Sequence, residues 1–371
     1  MRYIRFCSVA AATAAIVTGL AGGPAAAADP DYVPCSGTAL ALAVNNARNG
    51  ETLDLRRDCI YHLSMALQPI LNRELTIRGN GATIVRDGAS TLAFRIFDVA
   101  SGGDLRLKDL TVRGGVTAGD GAGIRVNGNG GLRLTKVDVL DNTATGNGGG
   151  VAVAPGGSAD IRSSYVAFNN AANGGGLYTA GSVTIENSEF ARNHAQASGG
   201  GIHQGGGMTF VGTSVVRRNT AAGSASGGGL YIGNGTMDIN QSKITNNTDT
   251  GSRGGGIYNG GNLTLTKSEV SGNVVGGTAG QGGGIYNTGT LTLKGTEVFR
   301  NSANGSGLSV AGGIYNAGGT VSLDHSTIRD NASTTAPGGL RTNVPIMLRD
   351  STITHNIPTN CFPSVIPGCT D

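Results

Sequence analysis

Hydrophobic positions in this chain recur with a period of about 27 residues. Nine times a glycine-rich block is followed by an aliphatic residue, and successive aliphatic residues are 25 to 29 positions apart. A fixed period of this length indicates a repeat architecture rather than a conventional globular domain. The aliphatic positions are Ile124, Val151, Leu177, Ile202, Leu230, Ile257, Ile285, Ile314 and Leu340.

A second marker, an asparagine, runs in phase with the first. Each Asn ends a segment of the form small-x-aliphatic-x-x-Asn, such as residues 188–193 (SEFARN). Short runs of alternating apolar and polar residues, such as 263–265 (LTL), lie between the two markers. Alternation of this kind is typical of strands that bury one face. The asparagines are Asn142, Asn169, Asn193, Asn219, Asn247, Asn273, Asn301, Asn331 and Asn356.

Each repeat therefore contains three short strands and no segment long enough for a helix. One repeat fits one turn of a parallel β-helix, in which each strand pairs with its equivalent in the next coil. Similar strands are predicted earlier, at 75–77, 94–96 and 105–112. We expect an all-β solenoid of about 11–12 coils, roughly 55 Å long. A disordered, glycine-rich chain is the alternative, and the constant phase over nine repeats argues against it.

Glycine and asparagine are assigned to the corners of the coils. In six repeats the Gly two positions before the aliphatic residue is predicted to face inward at a corner without room for a side chain, and its neighbours to adopt φ > 0. The asparagines are predicted to take the left-handed conformation and to bond to each other between coils. One repeat breaks the spacing, which predicts either a bulge near 208–211 or Val211 inside with Phe210 outside. The inward glycines are Gly149, Gly175, Gly200, Gly228, Gly255 and Gly283.

The amino-terminal segment has the pattern of a signal peptide. Arg2 and Arg5 precede an apolar stretch, and small residues follow up to Ala28. A retained membrane anchor is less favoured because Gly and Pro interrupt the run. We therefore expect a secreted, extracellular protein without membrane insertion after cleavage. The predicted organisation is a signal peptide at 1–28, an amino-terminal cap at 29–51, a β-helix at 52–356 and a disulfide cap at 357–371.

The four cysteines outside the signal peptide lie near the two ends of the chain. An oxidising compartment and this placement favour two local bridges, Cys35–Cys59 and Cys361–Cys369. Four cysteines allow three pairings, and the other two would require opposite ends of the rod to meet.

The open ends of the core are expected to be covered. Apolar residues at Leu40, Val44 and Ala47 have helical spacing, which predicts a short capping helix before Gly50. The loop closed by Cys361 and Cys369, which contains Pro363 and Pro367, is expected to close the other end.

The repeat motifs resemble those of the polymorphic outer membrane protein family. Residues 199–202 (GGGI) follow 190–193 (FARN), and 282–285 (GGGI) precede 298–301 (VFRN), as in the GGA[IVL] and FxxN repeats of that family. The resemblance covers about residues 105–356. It implies a right-handed parallel β-helix, related to pectate-lyase-like proteins, and an adhesive role. The family's membrane barrel has no counterpart here, so a free secreted form is expected.

Catalytic chemistry has little support in the sequence. Stacking the repeats places Glu269 above Glu297, about 5 Å apart, close to the carboxylate separation in retaining glycosidases. These are the candidates if the chain is a polysaccharide lyase or glycoside hydrolase. The alternative, an exposed surface pair, is favoured. The five histidines occupy different repeat positions, so no metal or other cofactor is predicted.

Six consecutive repeats carry an aromatic residue directly after the aliphatic position. These side chains face outward, either as a stack that stiffens the rod or as a platform for sugar rings. Without Arg2 and Arg5 the 27 basic residues fall to 25, against 24 acidic residues, so nucleic acid is not an expected partner. We expect a monomeric, non-catalytic protein that binds glycan or cell-surface material; a purely structural role is the alternative. The aromatic residues are Tyr178, His203, Tyr231, Tyr258, Tyr286 and Tyr315.

Overall fold

The chain forms a right-handed parallel β-helix of about 11 turns, as predicted. The structure is a computed structural model that describes residues 32–224, 226–362, 366 and 369. Within these residues it contains one α-helix, Gly37–Asn46, and three parallel sheets. We call the sheets A, B and C. The predicted signal peptide lies outside the described residues.

Sheet A carries the long alternating strands and the segments that lead to the asparagines. Its strands are Tyr32–Val33, Glu51–Leu55, Ile60–Leu63, Glu74–Arg86, Asp104–Arg113, Gly131–Leu140, Ser158–Arg162, Tyr165–Ala167, Ser182–Glu186, Glu189–Ala191, Met208–Gly212, Val215–Arg217, Thr236–Asn240, Lys243–Thr245, Asn262–Thr266, Glu269–Ser271, Thr290–Lys294, Glu297–Phe299, Thr320–Asp324, Thr327–Arg329, Met347–Arg349 and Thr352–Thr354.

Sheets B and C complete each coil. Nine strands of sheet B begin at the aliphatic marker, and one further strand extends the sheet at each end: Phe97–Val99, Ile124–Val126, Val151–Val153, Leu177–Thr179, Ile202–Gln204, Leu230–Ile232, Ile257–Asn259, Ile285–Asn287, Ile314–Asn316, Leu340–Thr342 and Cys361–Phe362. All strands of sheet C except the first follow the asparagine: Val116–Thr117, Thr143–Ala144, Asn170–Asn173, His194–Ser198, Thr220–Ala221, Thr248–Asp249, Val274–Val275, Ser302–Ala303 and Ala332–Ser333.

Register between coils follows the hydrophobic pattern. Leu263 and Leu265 lie beside Leu291 and Leu293 of the next coil, and all four side chains are buried. Thr264 lies between the two leucines of its strand and points outward. A one-residue slip would expose every aliphatic side chain, which is why the register is well defined. The result is a narrow aliphatic core that runs along the rod.

The asparagine ladder forms as predicted, but the asparagines do not take the left-handed conformation. All nine are at most 6% exposed, and each side-chain amide donates to the Oδ1 atom of the Asn in the next coil or, for Asn356, of Asn360. Positive φ occurs one residue earlier, for example 57° at Phe168 and 54° at Arg192. This turn places the following Asn side chain inside, between the coils.

A second ladder of hydroxyl groups lies at the other bend of sheet A. The backbone N–H of Ser188 donates to Ser214 Oγ at 3.0 Å, and the N–H of Ser214 donates to Ser242 Oγ at 3.0 Å. Thr296 and Ser326 continue the same pattern. These bonds satisfy buried backbone donors that the bend leaves without a strand partner.

The glycine corners are as tight as predicted. A Cβ atom on Gly255 would lie 2.4 Å from the carbonyl oxygen of Gly283 in the next coil and 2.4 Å from the carbonyl carbon of Val274. The preceding Gly254 has φ of 75°, as expected for a neighbour that turns the chain. The corner therefore excludes any side chain because backbone atoms occupy the space.

Two local predictions are decided by the register. Met208–Gly212 pairs without interruption to both neighbouring coils, so the bulge is wrong and the predicted alternative is confirmed: Val211 is buried and Phe210 lies outside. The strand predicted at 94–96 instead lies three residues later, at Phe97–Val99. Ile96 is nonetheless fully buried, because the segment approaches the core before pairing begins.

The capping helix at the amino-terminal end of the core and both disulfides form as the sequence predicted. The helix begins after the N-cap Ser36, ends at Asn46, four residues before Gly50, and buries Leu40 and Val44 completely. Cys35 pairs with Cys59, and Cys361 with Cys369, with Cα–Cα distances of 5.8 and 6.4 Å. Pro363 and Pro367 of the predicted terminal cap lie outside the described residues. In the part of the chain that is described, no helix has the length and hydropathy needed to cross a membrane.

Candidate functional site

The six aromatic residues form one continuous stack along sheet B. Each is the middle residue of a three-residue strand, so parallel pairing places it directly beside its equivalent in the next coil. Neighbouring ring centroids are 4.5 to 5.4 Å apart, and the rings are inclined by 4 to 22°. The rings cover each other's faces, so the inner ones present edges rather than faces to solvent. We call this row the aromatic stack.

The tyrosine hydroxyls of the aromatic stack have no protein partner in the part of the chain that the structure describes. Most of the rings are half-buried, and Tyr286 is only 5% exposed. Among the described residues none of the five tyrosine hydroxyls forms a hydrogen bond with the protein. Each of them can both donate and accept a hydrogen bond. The stack thus offers a row of polar groups that repeat with the coil spacing.

Amide side chains support the aromatic stack from inside. Asn259, Asn287 and Asn316 follow the tyrosines in sequence and point inward. The Nδ2 atom of Asn259 donates to Oδ1 of Asn287 at 2.7 Å, and that of Asn287 donates to Asn316 at 2.9 Å. This inner ladder fixes the strands that carry the rings.

Arginine side chains lie against the carboxy-terminal half of the aromatic stack. The guanidinium carbon of Arg253 is 5.2 Å from the centroid of the Tyr286 ring. Arg341 follows Tyr315 in the same column and lies 5.8 Å from that ring and 5.0 Å from Phe362. Sequence reasoning missed both arginines and Phe362. Arg341 and Phe362 do occupy the next two positions of the aromatic column.

His203 is the one titratable imidazole in the aromatic stack. It lies between Tyr178 and Tyr231, and its Nδ1 atom is 2.9 Å from Ser198 Oγ. Burial lowers the pKa of His203 to about 4, and the contact with Ser198 opposes that shift in part. The ring is therefore neutral at pH 7 and stacks without a charge to desolvate.

The depressed pKa predicts that acid destabilises the fold through His203. An unfolded His titrates near pH 6.5, so stability is full above that pH and falls as pH drops towards 4. We expect wild type to lose about 2 to 3 kcal/mol more than His203→Tyr between pH 7.5 and 4.5. Urea unfolding of both proteins at the two pH values measures this, and equal losses would contradict the assignment.

The comparison with His203→Tyr is needed because Asp249 has the opposite effect on how stability changes with pH. This carboxyl is fully buried, and burial raises its pKa to about 6, although hydrogen bonds from Ser226, Gly251 and Arg253 oppose the shift. Asp249 is therefore protonated near pH 6 in the folded state but only near pH 4 in the unfolded state. Lowering the pH between these values removes the cost of burying a charged carboxylate and so stabilises the fold. Asp249 contributes equally in wild type and in His203→Tyr, so its contribution cancels in the difference between their losses of stability.

The two candidate catalytic carboxylates are neighbours, but each has a basic partner. Glu269 and Glu297 occupy equivalent positions of adjacent coils and line a groove of about 340 Å³. Lys243 Nζ lies 3.3 Å from Glu269 Oε2, and Arg329 Nη2 lies 2.9 Å from Glu297 Oε2. Two carboxylates that are each held by a basic side chain do not resemble the acid and the nucleophile of a retaining glycosidase, which flank the same glycosidic bond.

Metal binding has no candidate site in the described part of the chain. No three side chains among its His, Cys, Asp and Glu residues lie close enough to hold an ion. One charged cluster on sheet A instead consists of ion pairs, including Arg162 with both Asp160 and Glu186. Its shallow groove of about 360 Å³ is bordered by the exposed side of Phe210.

Comparison with known proteins supports the fold and leaves the activity open. Residues 122–284 match the family model described as "right handed beta helix region". This is a β-helix repeat protein. Neither a curated protein nor a solved structure matched the chain. The matched segment contains four members of the aromatic stack, from Tyr178 to Tyr258.

Proposed function

We propose that this protein is a secreted, non-catalytic β-helix that binds polysaccharide or cell-surface glycan along the aromatic stack. The observation that carries the proposal is the row of five tyrosine hydroxyls, on six consecutive coils, that have no partner among the described residues. A row that repeats with the coil spacing suits a ligand that also repeats, such as an extended polysaccharide.

The chemistry of the aromatic stack fits a sugar. Phenol hydroxyls can exchange hydrogen bonds with sugar hydroxyls, and the ring edges provide apolar contact. Neither interaction needs charge, which agrees with 27 basic and 24 acidic residues in the whole chain. Ring-face contacts of the kind expected from a flat platform are available only at the ends of the row, because the inner faces are covered.

A binding role is favoured over a catalytic one. Glu269 and Glu297 are neutralised by Lys243 and Arg329, which leaves neither as an unpaired acid or base. We place the protein beside the polymorphic outer membrane protein repeats as an adhesin-like module. The two disulfides suit an extracellular location, since such bonds persist in oxidising compartments.

Removing only the hydroxyl groups tests the proposal. The triple variant Tyr231→Phe, Tyr258→Phe, Tyr286→Phe keeps the rings and the stacking but removes three donors and acceptors. At about 0.5 to 1.5 kcal/mol per lost hydrogen bond, we expect retention on a polysaccharide to weaken at least about tenfold. Affinity electrophoresis through gels that contain xylan, pectin, alginate, hyaluronan or dextran measures retention.

Two controls separate binding from stability. Thr236→Ala, Thr264→Ala and Thr292→Ala, made together, change three outward residues of sheet A and should leave retention unchanged. Replacing the same three tyrosines with Thr should lower the melting temperature as well, because ring contacts are lost. If no gel retards wild type, or if the Phe variant is retarded equally, the proposal is wrong.

A further inference from the structure

Within the described part of the chain, two arginines beside the aromatic stack have guanidinium groups without a protein acceptor. Among the described residues, neither Arg253 nor Arg341 forms a side-chain hydrogen bond or an ion pair. Arg329 of a neighbouring coil differs, because it contacts both Glu297 and Asp330. The N–H donors of Arg253 and Arg341 are therefore available to a ligand.

Aromatic rings hold Arg341 in place. The guanidinium lies between Tyr315 and Phe362, with centroid distances of 5.8 and 5.0 Å. Stacking against ring faces leaves the edge of the planar group, which carries its donors, directed away from the rings. Less side-chain entropy is lost on binding when the group is already ordered.

A pocket of about 250 Å³ adjoins this guanidinium. Tyr315, Arg341 and Phe362 line it together with Asn343, which is exposed and whose amide has no partner among the described residues. Phe362 is 50% exposed, so this end of the row does offer a ring to solvent. An aromatic ring, a free amide and a free guanidinium are the groups that a sugar bearing an anionic substituent requires.

Arg253 lies against another ring of the aromatic stack, nearer the amino-terminal end of the rod. It contacts Tyr286, whereas Arg341 is two strands of sheet B beyond that tyrosine. Two coils correspond to roughly 10 Å. A ligand that contacts both arginines must therefore carry anionic groups at intervals, as an acidic polysaccharide does.

We infer that Arg341, assisted by Arg253, forms an anion subsite at the carboxy-terminal end of the aromatic stack for the carboxylate or sulfate groups of an acidic polysaccharide. Guanidinium binds both groups through paired hydrogen bonds, so the two sources share one chemistry. The inference rests on the proposed polysaccharide binding and adds the class of ligand to it.

Polymers with one backbone and different substituents test the inference. Dextran, carboxymethyl dextran and dextran sulfate differ only in their anionic groups. We expect wild type to bind at least one of the two charged polymers about tenfold or more tightly than dextran, as for a charge-assisted hydrogen bond. Binding of carboxymethyl dextran alone would indicate uronate-type ligands, and binding of dextran sulfate alone would indicate sulfated ones.

Variants assign the effect to the subsite. Arg341→Gln should remove most of the preference for the charged polymer, and Arg253→Gln should remove part of it. Arg341→Lys should retain some, because an ammonium group keeps the charge without the paired donors. Arg349→Gln is the control: Arg349 is 76% exposed and lies near Asp324 and Asp350, away from the aromatic column. Melting temperatures of all four variants verify folding.

The outcomes distinguish this inference from the proposed function. Equal binding of all three polymers, or an unchanged preference in a folded Arg341→Gln variant, overturns the anion subsite while tyrosine-dependent retention still stands. An equal loss in Arg349→Gln and Arg341→Gln would reveal general charge attraction and also overturns it. If wild type binds none of the dextrans and no gel retards it, both proposals fail.

Discussion

Gly255→Val is expected to abolish stable folding of the β-helix. The new Cβ would meet the carbonyl oxygen of Gly283 and the backbone of Val274 at 2.4 Å, and backbone atoms cannot move aside as a side chain can. Relief would require separating two coils, which breaks hydrogen bonds in the neighbouring strands as well. We expect a loss of more than about 4 kcal/mol, in the range of the largest single-residue effects. Urea unfolding followed by circular dichroism measures it.

Another glycine provides the matched control. Gly88 has open space where a Cβ atom would lie and no positive φ, so Gly88→Val should change stability by less than about 0.5 kcal/mol. Thr264→Val, on the outer face of sheet A, should be similarly mild. A Gly255→Val protein that unfolds at the wild-type urea concentration would show that the corner is not rigid.

The coil and its inward faces could be predicted from sequence because the repeat itself carries that information. Strict alternation in Leu263-Thr264-Leu265 determines which side chains are buried, and the glycines two positions before the aliphatic residues reveal the space available at the corners. Backbone conformation at the bends could not be read in the same way. Phe168 and Arg192 have no preference for positive φ, and only the need to place the following Asn inside gives them that conformation.

The position of the aromatic stack could also be predicted from the repeat, but the orientation of its rings and the residues beside it could not. Equal spacing from Tyr231 to Tyr258 to Tyr286 requires the rings to be neighbours once the register is known. Whether the rings stack or lie flat depends on side-chain torsions that no spacing encodes. The sequence pattern did not reveal Arg341 and Phe362, because neither is a tyrosine and no glycine block precedes the strand Cys361–Phe362. The position after the aliphatic residue in the next repeat, which follows Leu340, is Arg341.

Asn247→Ala is expected to produce the second large loss of stability, because the asparagine ladder is a buried network without spare partners. Oδ1 of Asn247 accepts from the backbone N–H and the Nδ2 group of Asn219, each at 3.0 Å. Its Nδ2 group donates to Val216 O and to Asn273 Oδ1, also at 3.0 Å. Alanine would remove all four bonds and leave their partners buried, which should cost about 3 to 5 kcal/mol in urea unfolding.

Asn247→Asp distinguishes hydrogen bonding from packing at this position. The carboxylate has nearly the shape of the amide and can still accept from Asn219, but it cannot donate to Val216 or Asn273 and adds a buried charge. At pH 7 it should therefore be at least as damaging as alanine, although it leaves no cavity. Asn262→Thr is the control, since Asn262 is exposed and Thr occupies the equivalent position in both neighbouring coils. Wild-type stability in Asn247→Asp would mean that shape alone, and not the amide ladder, holds the coils together.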